Sequence, residues 1–241
     1  MYDYASVLFS GRCNARCPTC IGKLPEFTDV PENLSLKNLK GLEEFIGKCE
    51  GKNIRYVSLS GINADPQQYQ FEQDLIDKLR ARVPDTVLSL HTNGRLALQK
   101  SKEFNYYDRA TLSFASFNPE IYRAIMGVEQ VDIEKIVRSS AIPIKFSMLL
   151  TKHNRDEVRD YIQKTKKLGV DRIAIRKLVG REKEFDVLTE ETPVKNIFGN
   201  PVYQIGGVEV TVWDYSDSEV KGLYLFPDGS LRDEFRNREQ H

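Results

Sequence analysis

Three cysteines fall within eight residues, in the run Cys13-Asn-Ala-Arg-Cys17-Pro-Thr-Cys20, and a candidate strand, Ala5–Ser10, leads directly into them. A thiolate is a nucleophile and a soft metal ligand, and in a reducing compartment thiols rather than disulfides are the default state. Closed zinc sites want four ligands, commonly as two separated pairs. Here the fourth cysteine, Cys49, stands alone, and His153 has no neighbouring ligand. Incidental thiols are the plainer explanation, but buried cysteines do not usually cluster in a loop that contains glycine and proline. Three thiolates in one loop suit a cubane iron–sulfur cluster with one iron left open.

Such a loop needs a scaffold, and the sequence supplies one. Short apolar runs alternate with amphipathic stretches, the pattern of a parallel sheet with helical crossovers. Candidate strands are Ala5–Ser10, Arg55–Leu59, Thr86–His91, Ala110–Phe114, Ile144–Leu150 and Arg172–Arg176. Ser35 is placed to cap a helix whose apolar face is Leu36, Leu39, Leu42, Phe45 and Ile46. Phe71, Leu75, Ile76 and Leu79 mark a second helix. Asn118-Pro119-Glu120 reads as a cap, a first-turn proline and an acidic first turn. Val158, Tyr161, Ile162, Thr165 and Leu168 line another helix, which Gly169 stops. Six βα units are too few for a closed eight-stranded barrel, so the predicted fold is α/β, a partial (β/α)6 barrel. Residues 1–180 form its core. Residues 181–241 form a C-terminal extension, in which Val208–Trp213 and Leu223–Phe226 read as antiparallel strands and Pro227-Asp228-Gly229 turns into Ser230–Arg232. The polar Asn237–His241 is expected to fray.

Composition narrows the function classes. The 241 residues carry 35 Lys+Arg against 35 Asp+Glu, so no net field draws in nucleic acid or an anionic membrane. No apolar run is long enough for a transmembrane helix, and the first residues lack a signal-peptide pattern. A cytoplasmic protein is expected.

The cysteine spacing, CxxxCxxC after the first strand, resembles the defining motif of the radical S-adenosylmethionine superfamily, and the likeness extends over Ser6 to Val179. It is closest in style to the branch that contains the molybdopterin-precursor cyclase and the peptide-modifying enzymes. The resemblance implies that Cys13, Cys17 and Cys20 bind three irons of one 4Fe–4S cluster. The fourth iron would chelate S-adenosylmethionine, which is cleaved reductively to a 5′-deoxyadenosyl radical that abstracts hydrogen from a substrate. It further implies an oxygen-sensitive enzyme that receives its electron from reduced flavodoxin or ferredoxin. The family's glycine-rich segment corresponds to Ser60-Gly61-Ile62-Asn63-Ala64-Asp65-Pro66, with Gly61 permitting close backbone approach and Asp65 holding the methionine ammonium; the other reading of Asp65 is an ordinary cap before Pro66. His91-Thr92-Asn93-Gly94 resembles a TNG turn, its last two residues structural. Thr111-Leu112-Ser113-Phe114-Ala115-Ser116-Phe117-Asn118-Pro119-Glu120, continued by Ile125 and Gly127, resembles the fourth-strand motif and makes Ser113 a cofactor contact. Ser147 on the fifth strand would meet the ribose, and Ile175 on the sixth would pack the adenine. Arg176, Lys177 and Arg181 follow that strand and could bind an anionic substrate. One departure is Thr19, where an aromatic residue is usual before the last cysteine. No cysteine follows Cys49, so the auxiliary clusters of those relatives have no thiols here. With about a dozen residues before Cys13, a peptide-recognition domain is not evident, which favours a small-molecule substrate. The rival class is a non-catalytic iron–sulfur module for electron transfer or redox sensing.

Overall fold

The run Tyr4–Phe9 buries five of its six residues, as a strand covered on both faces must. It opens the computed structural model, which describes residues 2–235; Asn237–His241 lies outside the described residues. The strands are β1 (Tyr4–Phe9), β2 (Tyr56–Gly61), β3 (Val87–Thr92), β4 (Arg109–Ser113), β5 (Ile144–Leu149), β6 (Arg172–Arg176), β7 (Lys195–Ile197), β8 (Asn200–Ile205), β9 (Val208–Trp213), β10 (Gly222–Leu225) and β11 (Leu231–Arg232). The helices are α1 (Leu42–Gly51), α2 (Glu72–Arg82), α3 (Ser101–Phe104), α4 (Pro119–Met126), α5 (Ile133–Ser139) and α6 (Val158–Lys167). The described chain divides into two compact units, one of residues 2–14, 20–110 and 221–235 and the other of residues 15–19 and 111–220.

In the first unit the strand order is β11-β10-β1-β2-β3. β10, β1, β2 and β3 run parallel, with Ser6 level with Tyr224 and Ser58, and Ser58 level with Ser89. Because side chains alternate along a strand, Val7, Phe9, Val57, Leu59 and Leu90 share one face; they are fully buried, as are Phe45 and Ile46 of α1 and Ile76 and Leu79 of α2. The opposite face carries hydroxyls. Ser58 bonds Ser6 at 2.9 Å, and Arg109 Nε donates to Ser89 at 2.6 Å. Helix α1 corrects the expectation of a cap at Ser35: it starts at Leu42, and Leu36 is exposed. Gly41 sets this start, turning the chain at a left-handed φ of 71° where a Cβ would strike the Gly229 carbonyl.

In the second unit the order is β4-β5-β6-β9-β8-β7. β5, β6 and β9 are parallel. Phe114, Phe117, Phe146, Tyr122 and Tyr161 form an aromatic core with ring centroids 5.0 to 6.4 Å apart, and Tyr161 donates its hydroxyl to the Phe114 carbonyl at 2.7 Å. Asn118 caps α4 through Oδ1, which accepts from the Glu120 and Ile121 amides, and α6 ends just before Gly169 at φ 81°.

The last sixty residues pair differently from their sequence reading. β9 is antiparallel only to β8 and lies parallel to β6; β10 is antiparallel only to β11 and lies parallel to β1. Turn residues report the tight hairpins at Gly206–Gly207 and Asp228–Gly229. A parallel partner is reached by a long crossover and leaves no local signature.

Candidate functional site

The cysteine loop starts where β1 ends, and side chains from the loops after β2 and β3 hold its first half. Gly11 donates its N–H to Asn63 Oδ1 at 3.0 Å. Gln68 spans the next residues: its Oε1 accepts from the Asn14 N–H at 3.0 Å and its Nε2 donates to the Arg12 carbonyl at 3.0 Å. Asn93 Nδ2 donates to Asn14 Oδ1 at 2.7 Å and lies 3.8 Å from Cys13 Sγ. Cys20 Sγ lies 3.8 Å from the Ile62 carbonyl. The chain leaving Cys20 is anchored by Phe27, which packs with Leu8, Ile62, Tyr224 and Phe226 while Ile21 and Leu24 flank the cluster.

In the second unit, Cys17 is held by the end of α4. The Met126 carbonyl accepts from the Arg16 N–H at 3.1 Å and from Cys17 Sγ at 3.5 Å. Gly127 ends α4 in the left-handed region at φ 67°, and a Cβ there would meet the Arg16 carbonyl. This is the physical content of the Ile125-Met126-Gly127 motif: the glycine lets the loop lie on the helix end.

The three thiols are half-buried and none is in a disulfide, whereas Cys49 is fully buried in α1 and burial pushes its thiol up to about 12. Among the described residues, no three His, Cys, Asp or Glu side chains converge on one point as an ion's ligand set. The three thiols belong to one loop, braced at Cys13 and Cys20 within the first unit and at Cys17 within the second. The donor set is all sulfur, which suits an iron–sulfur cluster and not a hard cation.

Two sequence-predicted residues, Asp65 and Gly61, have contacts within the protein. Asp65 is buried, and its carboxylate accepts from the Gln67 N–H at 3.0 Å, the Asn93 N–H at 2.6 Å and the Thr92 hydroxyl at 2.8 and 2.9 Å. Burial pushes its pKa up, against the pull of these donors. Asp65 thus caps the turn at Pro66, the second of its two readings, and ties it to the end of β3. Gly61 admits a close backbone approach, but from within, since a Cβ there would collide with the Ala64 carbonyl. Asn63 and Gln68 are the residues whose bracing role the sequence left unread, their signal being their place in the loop after β2; Asn93 was legible as a structural turn residue but not as a brace for the cysteine loop.

Ser113 and Ser147 are brought to one level. Phe114 donates its N–H to the Ser147 carbonyl at 3.0 Å, and the Phe114 and Phe146 rings occupy the opposite face, so both hydroxyls share the face that Ala174 of β6 continues. Among the described residues neither hydroxyl has a hydrogen-bond partner. Ile175 is fully buried on the other face, level with Met148 and Val212. One row further along β5, β6 and β9, Leu149, Arg176 and Trp213 lie level. Lys177 pairs with Asp186 and Asp214, and Arg181 with Glu184. Arg176 alone of the three has no carboxylate partner among the described residues; its Nη1 donates to the Tyr215 hydroxyl at 3.2 Å.

Comparison with known proteins adds the following. A family model described as the radical SAM superfamily matches residues 7–175. A probable GTP 3′,8-cyclase of Methanosarcina mazei is 27% identical over 256 residues, covering 94% of this chain and 75% of that protein. A GTP 3′,8-cyclase of Limosilactobacillus fermentum is 27% identical over 177 residues, 69% of this chain and 51% of the relative. Among solved structures, Streptococcus suis SuiB bound to S-adenosylmethionine superposes with a TM-score of 0.59 at 15% identity, over 78% of this chain and 42% of that one. Native anSMEcpe with bound AdoMet gives 0.53 at 17% identity, over 80% and 55%. These structural likenesses are likenesses of fold. The chain spans about half the length of the Limosilactobacillus relative and less than half of SuiB. Among the described residues, no helix is long and apolar enough to cross a membrane.

Proposed function

The chain belongs to the radical SAM superfamily, whose members bind a 4Fe–4S cluster and S-adenosylmethionine, and from that premise we propose an enzyme that cleaves S-adenosylmethionine reductively and takes a hydrogen atom from a small-molecule substrate. Residues 1–180 are the catalytic core and residues 181–241 an extension to it. Cys13, Cys17 and Cys20 would hold the cluster. When bound, the cluster supplies the electron that breaks the sulfonium C–S bond to give the 5′-deoxyadenosyl radical. Reduced flavodoxin or ferredoxin is the proposed electron source, and the cytoplasm the proposed location.

The work left to the protein is to hold, orient and exclude water. Asn63, Gln68 and Asn93 keep the first half of the loop in place, and the α4 terminus keeps Cys17. The hydroxyls of Ser113 and Ser147 would orient the ribose and methionine ends of S-adenosylmethionine. The observation that carries this assignment is that the two residues lie level on one face with no protein partner for either hydroxyl among the described residues: Ser147 is buried, and a buried hydroxyl needs a partner, while Ser113 stands at the exposed end of β4. Arg176 would take an anionic group of the substrate, with Trp213 beside it on the same row. The GTP 3′,8-cyclase names of the relatives fit an anionic small molecule, and it is as such that the substrate is proposed.

The decisive experiment is anaerobic reconstitution followed by incubation with S-adenosylmethionine and dithionite. Formation of 5′-deoxyadenosine is expected. A protein that holds its cluster, accepts the electron and yields no 5′-deoxyadenosine would instead be an electron-transfer or redox-sensing module.

A further inference from the structure

The amide of Asn93 is fixed in one orientation by three contacts. Its Oδ1 accepts from the Arg95 N–H at 3.0 Å, which assigns the oxygen, and its Nδ2 donates to Asn14 Oδ1 at 2.7 Å. An amide nitrogen has two protons, and the remaining acceptor is Cys13 Sγ, 3.8 Å away. The residue is held from behind as well, since its own N–H donates to the buried Asp65 carboxylate at 2.6 Å and the adjacent Thr92 hydroxyl bonds the same carboxylate. Asn93 is itself buried. As a thiol, Cys13 shares its proton with Asn14 Oδ1 at 3.8 Å; as a thiolate it has only lone pairs to offer, and a preset donor faces it.

We propose that Asn93 is a positioning residue for the electron-transfer step: its Nδ2–H donates to the Cys13 thiolate and raises the reduction potential of the cluster bound there. The inference rests on the assignment of Cys13 as a cluster ligand made above. Hydrogen bonds to cluster sulfurs lower the electron density on the iron and make the reduced state easier to reach. Asp65 acts one step further back, by holding the β3 end that carries Asn93.

The test is an EPR-monitored redox titration of reconstituted wild type, Asn93→Ala and Asn93→Asp, each checked for iron and sulfide content. Asn93→Asp keeps an oxygen for the Arg95 N–H, and hence the turn, but loses the donor to sulfur. Both variants should hold one cluster and reduce at more negative potential, by about tenfold in the reduction equilibrium constant, or about 59 mV for a one-electron couple. Unchanged potential in variants with a full cluster overturns the proposal. Should neither variant hold a cluster, Asn14→Ala, which removes the acceptor that aims the amide, is titrated against the same criterion. Wild type that fails to assemble a cluster at all overturns the ligand assignment instead, so the two failures are distinguishable.

Discussion

The polar side chains that follow β2 and β3 in the first unit and the hydroxyls of Ser113 and Ser147 in the second are treated in opposite ways. In the first, the Asp65 carboxylate and the amides of Asn63, Gln68 and Asn93 are engaged with neighbouring protein groups, several of them in the cysteine loop. In the second, Ser113 and Ser147 have no protein partner among the described residues, and Arg176 has only a tyrosine hydroxyl. A satisfied network is rigid and costly to break, because each buried group that loses its partner carries its full desolvation penalty. Groups left without protein partners at strand ends are the ones that can meet a ligand. One region is thus a cradle, and the other is the proposed binding face. Cradle mutations should cost stability or the cluster, and binding-face mutations should cost affinity alone.

The largest effect expected is at Cys17. Cys17→Ala should abolish both the cluster absorbance and 5′-deoxyadenosine formation, while Cys49→Ala spares both, because Cys49 only extends the buried face of α1. Equal loss in the two variants would show the ligand set to be misassigned.

Reactivity separates the same cysteines without mutation. With its thiol pushed up to about 12 by burial, Cys49 stays protonated at pH 8 and its reactive fraction rises only as pH climbs towards that value. Against an ordinary cysteine near 8.5, its thiolate fraction at pH 8 is lower by about three orders of magnitude. Iodoacetamide labelling of the cluster-free protein, read by peptide mass spectrometry, should therefore modify Cys13, Cys17 and Cys20 and leave Cys49 intact. Early modification of Cys49 would mean that α1 opens readily.

Asp65→Ala strands three buried donors, each worth about 1–3 kcal/mol when unmet, so urea unfolding should register a loss of at least about 2 kcal/mol. Ser113→Ala, which removes a hydroxyl that holds nothing in the protein, should stay within about 0.5 kcal/mol of wild type. If the two variants are equally stable, the distinction between cradle and binding face fails.

How far the sequence carried this picture depended on whether a signal was local. The six strands from Ala5 to Arg176 were legible because each is a short apolar run bounded by turn residues, and Asn118-Pro119-Glu120 marked the start of α4. The cysteine spacing was legible for the same reason. What escaped was long-range. Nothing near Val208 or Leu223 says that they run parallel to β6 and β1, and nothing near Asn93 says that it faces Cys13, eighty residues away. Asp65 was visible both as a cap and as a ligand, and the cap needed its three donors, two of them on β3 and the turn after it, to be seen. Alternation on β6 places Ile175 on the face opposite Ala174 and Arg176, a phase that the short run does not itself set.

The smallest effect lies on the binding face. Ser147→Ala should leave the cluster intact and weaken S-adenosylmethionine binding only several-fold, since a neutral hydrogen bond contributes about 0.5–1.5 kcal/mol. The most direct measurement follows from it: EPR of the dithionite-reduced cluster, titrated with S-adenosylmethionine in wild type and in Ser147→Ala. The wild-type signal should change on addition, as expected for a cluster with three cysteine ligands and one open iron, and the variant should show the same change at several-fold higher concentration. A wild-type spectrum indifferent to S-adenosylmethionine would contradict the open-iron centre and the binding face together.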